Sequence, residues 1–403
     1  MALMPVSDAL AAILAGAEPM GEEMVALEHA YHRVLARDIA ARRTQPPQAM
    51  SAMDGYAVRT ADAAQVNTRL KVIGEVAAGR PFDRAIGMGE AARIFTGGVI
   101  PDGADAVVIQ EDTIADGGSI TVTEAAATGR HIRPAGVDFR EGDLLLTAGS
   151  RLTERDLSLA ASMNYPELPV RRRPKVALLA TGDELVMPGS EPGPGQIVYS
   201  NGYALRALAR AEGADTFDLG VAADTREATT AGIRRARDLG ADILVTTGGA
   251  SVGDHDLVQE SLVAEKVQIA FWKIAMRPGK PMMHGRLGPM RVVGVPGNPV
   301  SSYVCTFLFV VPLIRALSGR KVIHHGRESA LLGRDAGAND QREDYLRARL
   351  EERADGTLIA TPVNHQDSSL LANLAAAQAL VIRAPFAPAA KAGSPCEILR
   401  LPK

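Results

Sequence analysis

The stretch 242–256, DILVTTGGASVGDHD, combines residue types that hold an anion with residue types that hold a hard cation. An apolar run, Ile243-Leu244-Val245, leads into Thr246-Thr247-Gly248-Gly249, passes Ser251 and Gly253, and ends in Asp254 and Asp256. Glycines let a backbone turn its N–H groups inward toward an anion. Two carboxylates at the far end suit a hard cation able to bridge to that anion. Four other segments have a similar texture: Thr181-Gly182-Asp183-Glu184, Asp224-Thr225, Met276-Arg277-Pro278-Gly279-Lys280-Pro281 and Pro296-Gly297-Asn298-Pro299-Val300-Ser301-Ser302. Three of the five are acidic. The other two suit anions, one through Arg277 and Lys280, the other by opening a long apolar run whose helix would begin with free N–H groups.

Each segment alone has an ordinary structural role. Asp224-Thr225 reads as a helix N-cap, Thr181-Gly182-Asp183 as a turn, Pro296-Gly297-Asn298-Pro299 as loop punctuation and Lys280 as a solvated charge. Their joint position argues for more, because each follows a strand-like run in a region where strands and helices alternate. The runs 176–180, 216–221, 243–246, 267–274 and 292–295 read as strands, and 201–212, 225–239, 256–265 and 300–317 as helices. Alternation of this kind indicates a parallel sheet covered on both faces, and ligands bind such sheets outside the carboxyl ends of the strands.

Around this region the texture changes. Residues 7–15 and 22–36 read as amphipathic helices, the first with Ser7 as N-cap. Short strand-like pieces at 56–58, 71–76, 91–94, 106–109 and 119–123 suggest a small β-rich domain. A further strand is expected at 143–146 and a helix at 153–162, capped by Thr153. Arg171-Arg172-Arg173-Pro174 reads as a solvated linker. Residues 328–403 return to short strands, at 345–350, 357–362, 379–382 and 396–401, as in a small barrel or sandwich. In the β-rich region, Ser51-Ala52-Met53-Asp54-Gly55-Tyr56-Ala57, Thr96-Gly97-Gly98 and Arg133-Pro134-Ala135-Gly136-Val137-Asp138 are turns by default and ligand loops if they face a cleft.

Composition narrows the class. With 403 residues the chain expects two to four domains, and 46% hydrophobic with 23% charged residues is ordinary globular composition. A net charge of −3 and an aromatic content of 4% argue against nucleic acid as the main ligand. Cys305 lies in an apolar run, where an inert buried thiol is expected, and two cysteines form no disulfide framework, which fits the cytoplasm. No signal peptide is evident, and the apolar run at 304–314 is too short for the roughly 20 residues that span a bilayer, so no membrane role is expected. The glycine loop is neither G-x-G-x-x-G nor G-x-x-x-x-G-K-[ST], which removes the dinucleotide and P-loop readings. No Cys/His cluster has zinc spacing, and His324, His325 and His365 read as surface or loop residues.

Taken together, the motifs SAMDGYAV (51–58), RIFTGGVIPDGADAVV (93–108), IRPAGVDF (132–139), TGDEL (181–185), TTGGASVGDHD (246–256), FWKIAMRPGKP (271–281), VPGNPVSS (295–302) and HQDSSLL (365–371) resemble the molybdopterin molybdenumtransferase family, which includes bacterial MoeA and a domain of gephyrin. The resemblance covers nearly the whole chain. It implies a multi-domain α/β fold with a central parallel α/β molybdopterin-binding domain at 173–322. The implied flanking parts are a β-rich domain at 46–139, a helical connecting domain at 1–45 and 140–172, and a C-terminal β-barrel at 323–403. The implied reaction joins molybdate to adenylylated molybdopterin and releases AMP, with Mg²⁺ as the cation. The implied assembly is a homodimer whose cleft is shared between subunits, with molybdopterin adenylyltransferase as a further partner.

By matching motif positions, the resemblance assigns Asp54, Thr96, Asp138, Glu184 and Asp224 to catalysis. Thr181, Gly182, Gly248, Gly249, Ser251, Gly253 and Lys273 fall to the pterin phosphate and adenylate. Arg277, Lys280, Ser301, Arg347 and Ser368 fall to molybdate, and Asp183, Glu184, Asp224 and Asp256 to the metal. Two departures stand out. Arg277 replaces a lysine common in the family, and Asp367-Ser368-Ser369 replaces Gly-Ser-Gly. Two other readings remain: nucleotidyl transfer or pyrophosphate hydrolysis on the same α/β domain, and a dimeric scaffold.

Overall fold

Strand β1 (Lys175–Thr181) is buried along all but its first residue, as expected of a strand covered by helices on both faces. It is an inner strand, next to the edge, of a six-stranded sheet with β2 (Asp215–Ala222), β3 (Ile243–Thr247), β4 (Gln268–Lys273), β5 (Pro281–Leu287) and β6 (Met290–Val295). The spatial order is β2-β1-β3-β6-β5-β4. The computed structural model describes residues 3–248 and 257–402. Helices α1 (Asn201–Ala211), α2 (Arg226–Asp238), α3 (Leu257–Ala264) and α4 (Pro299–Leu317) flank the sheet. Alternate strand residues divide between two cores. Leu178, Val245 and Val293 join Leu205, Val304 and Phe307 on one face. Leu179 and Leu244 join Ile233 and Leu262 on the other.

The sheet corrects the expectation of parallel strands throughout. β5 pairs antiparallel with both β6 and β4, so the sheet is mixed. β5 and β6 join through a tight turn at Leu287-Gly288-Pro289-Met290, Gly288 taking φ +59. The connection is too short for a crossover helix, so the strands must run antiparallel. The carboxyl ends of β1, β2, β3, β4 and β6 still lie on one edge.

α4 begins at Pro299, where a missing N–H costs nothing. Its 19 residues are long and apolar enough to cross a membrane by length and composition, but 89% of its apolar window is buried inside the fold. It is the core helix of this domain.

The N-terminal third departs most from the sequence expectations. Residues 22–36 form strand Glu22–Ala26 and a short turn, Leu27–His29, instead of a helix. The strand pairs antiparallel with Glu167–Arg171, a partner 149 positions away at the Glu22–Arg171 register, so tertiary pairing overrides local helix propensity. The connecting domain is therefore not mainly helical. Its described helix Glu154–Ser162 does start as expected, with a capping box between Thr153 and Asp156. Helix Val6–Leu14 also forms, but Pro5 precedes it without a side-chain cap and Ser7 bonds Asp8 instead. Its Ala9 and Ile13 join the α/β core. Buried Arg291 donates to the carbonyls of Ile13 and Gly16 at 2.8 and 2.6 Å, anchoring the helix end.

The basic linker is also more than solvated charge. Arg171 lies within a strand and donates to the carbonyls of Met20 and Ala36, while Arg172 grips Asp242 at 2.9 and 3.0 Å. Asp242 in turn accepts the Lys175 N–H at 2.8 Å, so the linker fixes the start of β1.

The β-rich domain is a six-stranded sheet in the order Ala106–Ile109, Gly55–Val58, Glu90–Ile94, Arg69–Val76, Ser119–Val122, Thr113–Asp116. The C-terminal part is a closed five-stranded barrel: Glu343–Glu352 pairs with both Leu358–Pro362 and Ala379–Arg383, and Arg327–Leu332 and Pro395–Arg400 complete the circle. Strand Arg327–Leu332 and helix Leu371–Ala375 were not anticipated. Met276–Arg277 leaves the α/β domain to pair with Glu343 and Asp344 of the barrel.

Candidate functional site

A cavity of about 590 Å³ opens at the carboxyl edge of the sheet. Its floor is polar: Thr181 ends β1, Thr247 ends β3 with Gly248 just after it, and Pro296, Gly297 and Asn298 link β6 to Pro299 at the start of α4. Asn201, at the start of α1, reaches over the floor and donates to the Gly297 carbonyl at 2.7 Å. Leu185, Ile197 and Val198 form an apolar side, and the barrel contributes Ser369 and Leu371.

Glycine is required at one floor position and in the turn beside it. Gly248 has φ +90, and a Cβ there would stand 2.3 Å from the Thr181 carbonyl oxygen. Gly182 has φ +147, and its Cβ would meet the Glu184 carboxylate at 2.6 Å. These glycines pack the strand ends closely and fold Glu184 over its own turn. The Thr181 hydroxyl lies buried in this floor with no hydrogen-bond partner among the described residues, as does that of Thr246 behind it. A buried hydroxyl costs free energy when unpaired, so a ligand group that pairs with Thr181 would recover it.

The acidic loops are held together. The Asp224 N–H donates to Asp183 Oδ1 at 3.0 Å, and the Asp183 N–H donates to Asp224 Oδ2 at 3.3 Å. This exchange joins the end of β1 to the start of α2, whose cap is Thr225. Among the described residues, no group of three or more His, Cys, Asp or Glu is placed to hold a metal. Gly249, Ser251, Gly253 and Asp256 lie outside the described residues.

The residues assigned to molybdate are divided. Arg277 follows the barrel: its guanidinium bonds Asp344 on two nitrogens, one at 2.8 Å, and Asn339 at 3.2 Å. Lys280 is exposed, and Ser301 is buried in the first turn of α4. Arg347 is buried in the barrel, with Nε on Gln366 at 3.1 Å and Nη1 on the Asp367 carbonyl at 2.7 Å. Its Nη2 has no partner among the described residues, and burial lowers the Arg347 pKa. Ser368 touches the α/β domain directly: Asn298 Nδ2 donates to its hydroxyl at 2.8 Å, and its carbonyl accepts the Val300 N–H at 3.0 Å. The Asp367 carboxylate accepts the Ser369 hydroxyl at 2.6 Å and N–H at 2.8 Å, and these bonds hold its pKa below the usual carboxylate range. Lys273 ends β4, where its carbonyl accepts the Met4 N–H.

The third group stands elsewhere. Asp54 Oδ1 accepts both the N–H and the hydroxyl of Thr96, at 2.7 and 2.8 Å, and the backbone bond chiefly lowers its pKa. Asp138 is exposed nearby in the same domain, in the turn that follows strand Ile132–Arg133. None of these three residues lines the cavity at the sheet edge. Sequence reasoning gave no individual role to Asn298, although it singled out the 296–302 loop, and it missed Asn201 and the apolar side at Ile197-Val198. The one signal for the two asparagines is position, each at a helix start beside a loop already singled out.

Three family models match the chain in order. One described as the MoeA N-terminal region (domain I and II) covers residues 4–164, a probable molybdopterin binding domain covers 177–316, and the MoeA C-terminal region (domain IV) covers 329–401. A Haemophilus influenzae protein named molybdopterin molybdenumtransferase is 41% identical over 305 residues, 75% of this chain and 74% of its own. A Bacillus subtilis protein of the same name is 35% identical over 387 residues, 94% of this chain and 90% of its own. The crystal structure of the molybdopterin biosynthesis MoeA protein of Pyrococcus horikosii superposes with a TM-score of 0.86 at 32% identity, covering 100% of both chains.

Proposed function

The chain belongs to the MoeA family, and on that premise we propose that it joins molybdate to adenylylated molybdopterin with release of AMP, the last common step of molybdenum cofactor biosynthesis. The observation behind this reading is the cavity at the sheet edge. Its floor combines close-packed glycines with a buried hydroxyl that has no partner among the described residues, and the barrel closes one side. Such a floor suits a phosphate, and the apolar side suits a planar ring. In this reading Thr181, Gly182 and Gly248 hold the phosphoanhydride, together with Gly249, Ser251, Gly253 and Lys273. Lys280, Ser301, Arg347 and Ser368 receive molybdate, with Arg277 bearing on it from the barrel side.

In this reading Asp183, Glu184, Asp224 and Asp256 would turn oxygen donors to Mg²⁺ once substrate is bound; the Asp183–Asp224 exchange leaves one oxygen of each of those two carboxylates outside that pairing. When bound there, the ion would neutralise phosphoanhydride charge. Glu184 and Asp224 would position water or the leaving phosphate. Asp54, Thr96 and Asp138 would complete the cleft from a second subunit of a homodimer. The exposure of Met53 (42%) and Val137 (59%) beside them supports a covered surface. A cytoplasmic location and transfer of substrate from molybdopterin adenylyltransferase complete the proposal.

The test supplies the purified protein with adenylylated molybdopterin, molybdate and Mg²⁺, and follows AMP and active cofactor. Both should appear and both should require molybdate. Absence of AMP under these conditions, or ATP consumption with bare molybdopterin, would reject the reading.

A further inference from the structure

Asn298 occupies the position just before α4, where an asparagine ordinarily turns back to accept a backbone N–H from its own helix. This one makes no such bond. Its amide crosses to the barrel and donates to the Ser368 hydroxyl at 2.8 Å, while the Ser368 carbonyl accepts the Val300 N–H at 3.0 Å. The barrel loop thus caps the helix in place of the helix's own asparagine.

The direction of the first bond matters. A serine oxygen has one proton to donate and two lone pairs to accept with, whereas an amide NH₂ can only donate. Ser368 therefore accepts from Asn298 and does not spend its proton on this contact. The next residue differs: Ser369 commits its hydroxyl proton to Asp367 Oδ1 at 2.6 Å. Arg347, which holds the Asp367 carbonyl at 2.7 Å, keeps Nη2 without a partner among the described residues. One short loop therefore carries a serine whose proton is consumed and a serine whose proton is, among the described residues, in reserve, held by an arginine with a donor to spare among the same residues.

We propose that Asn298 is a positioning residue for the oxyanion substrate: by donating to Ser368, it fixes the serine as a hydrogen-bond donor toward the anion. This rests on the reading that Ser368 contacts molybdate. It goes beyond that reading by explaining why the asparagine forgoes its own helix. It also gives the Asp367-Ser368-Ser369 sequence a division of labour, in which Ser369 occupies the aspartate and leaves Ser368 to the anion.

The experiment measures KM for molybdate, KM for adenylylated molybdopterin, kcat and thermal unfolding in Asn298→Ala, Asn298→Asp, Ser368→Ala and the Asn298→Ala/Ser368→Ala double variant. A hydrogen bond to a charged group is worth about a tenfold change or more in affinity. Ser368→Ala and Asn298→Ala should each raise the molybdate KM by about that factor, and by clearly more than they raise the pterin KM. The double variant should be no worse than Ser368→Ala alone, because one residue acts through the other. Asn298→Asp keeps the shape but makes Ser368 donate to the new carboxylate, so its molybdate KM should rise further than that of Asn298→Ala. If Ser368→Ala leaves the molybdate KM unchanged, the assignment of Ser368 to the anion fails and the inference with it. If Ser368→Ala raises it and the Asn298 variants do not, or the double variant is additive, only the inference fails. Equal rises in both KM values with a lowered melting temperature would mark Asn298 as a plain clip between domains and overturn the proposal.

Discussion

The strand-end cavity and the acid turn of the β-rich domain solve opposite halves of one problem. The cavity is walled on several sides, shaped by glycines that tolerate no side chain, and contains a buried hydroxyl with nothing described to bond. The acid turn is exposed, and its carboxylate is already tuned, with two bonds from Thr96 holding Asp54 in its charged form. One region has walls and waiting partners; the other has a prepared charge and no walls. Buried hydroxyls without partners and exposed charges with preset geometry are each uneconomical alone. The difference suits the proposed dimer, in which each region would supply what the other lacks.

The largest expected effect tests that joining. Asp54→Asn and Glu184→Gln should each abolish turnover while leaving the fold intact. If the cleft is shared across a two-fold axis, mixing and exchanging the two inactive variants should restore about a quarter of wild-type activity, since half the dimers are mixed and each has one intact cleft. Cofactor formation in the mixed sample measures it. A mixture as inactive as its components would assign each site to a single chain and break the comparison.

Next in size is Gly248→Ala. The new methyl group meets the Thr181 carbonyl and forces a residue with a Cβ into φ +90. We expect a loss of about 2 kcal/mol or more in stability together with loss of substrate binding. Denaturant unfolding and calorimetric binding measure the two. Asp54→Ala, on an exposed turn, should leave stability nearly unchanged. Equal destabilisation by both would show that the two regions are not built differently.

The same contrast explains what could be read from the sequence. Strand-end loops follow apolar runs, so Thr181, Asp224, Gly248 and the 296–302 loop could be located from local pattern alone. The exchange between Asp183 and Asp224 could not, because each backbone N–H bonds a carboxylate 41 positions away. Arg277 was expected in a strand-end loop, but the two-residue pairing with Glu343 and Asp344 draws it to the barrel. The same kind of long-range pairing turned residues 22–26 into a strand against 167–171. Local pattern locates a residue that its own element positions, and fails where a distant strand decides.

A smaller effect probes the unpaired hydroxyl. Thr181→Val keeps the shape and removes a group that has no described partner. Stability should hold or rise slightly, since an unsatisfied polar atom is removed without opening a cavity. Affinity for the adenylylated substrate should fall by about tenfold, the worth of a hydrogen bond to a charged group. A variant that binds normally would make the hydroxyl a structural remnant and remove one of the two features that set the cavity apart.

The smallest expected change concerns the other side of the comparison. Asp54 has its pKa lowered from 3.8, first by the Thr96 backbone N–H and then by the Thr96 hydroxyl. A carboxylate with a depressed folded-state pKa favours the fold above its unfolded pKa and loses that contribution as pH falls through the folded value. The relevant window therefore lies below 3.8 and leaves neutral pH untouched. Thr96→Val removes the hydroxyl bond and keeps the larger backbone bond, so the Asp54 pKa should rise only part of the way back. Carbon-detected NMR titration of the Asp54 carboxyl group reads this directly. Near neutral pH the variant keeps Asp54 ionised, so a loss of turnover there would assign the hydroxyl to substrate and not to charge tuning. The acid turn would then resemble the cavity in holding a group meant for the ligand.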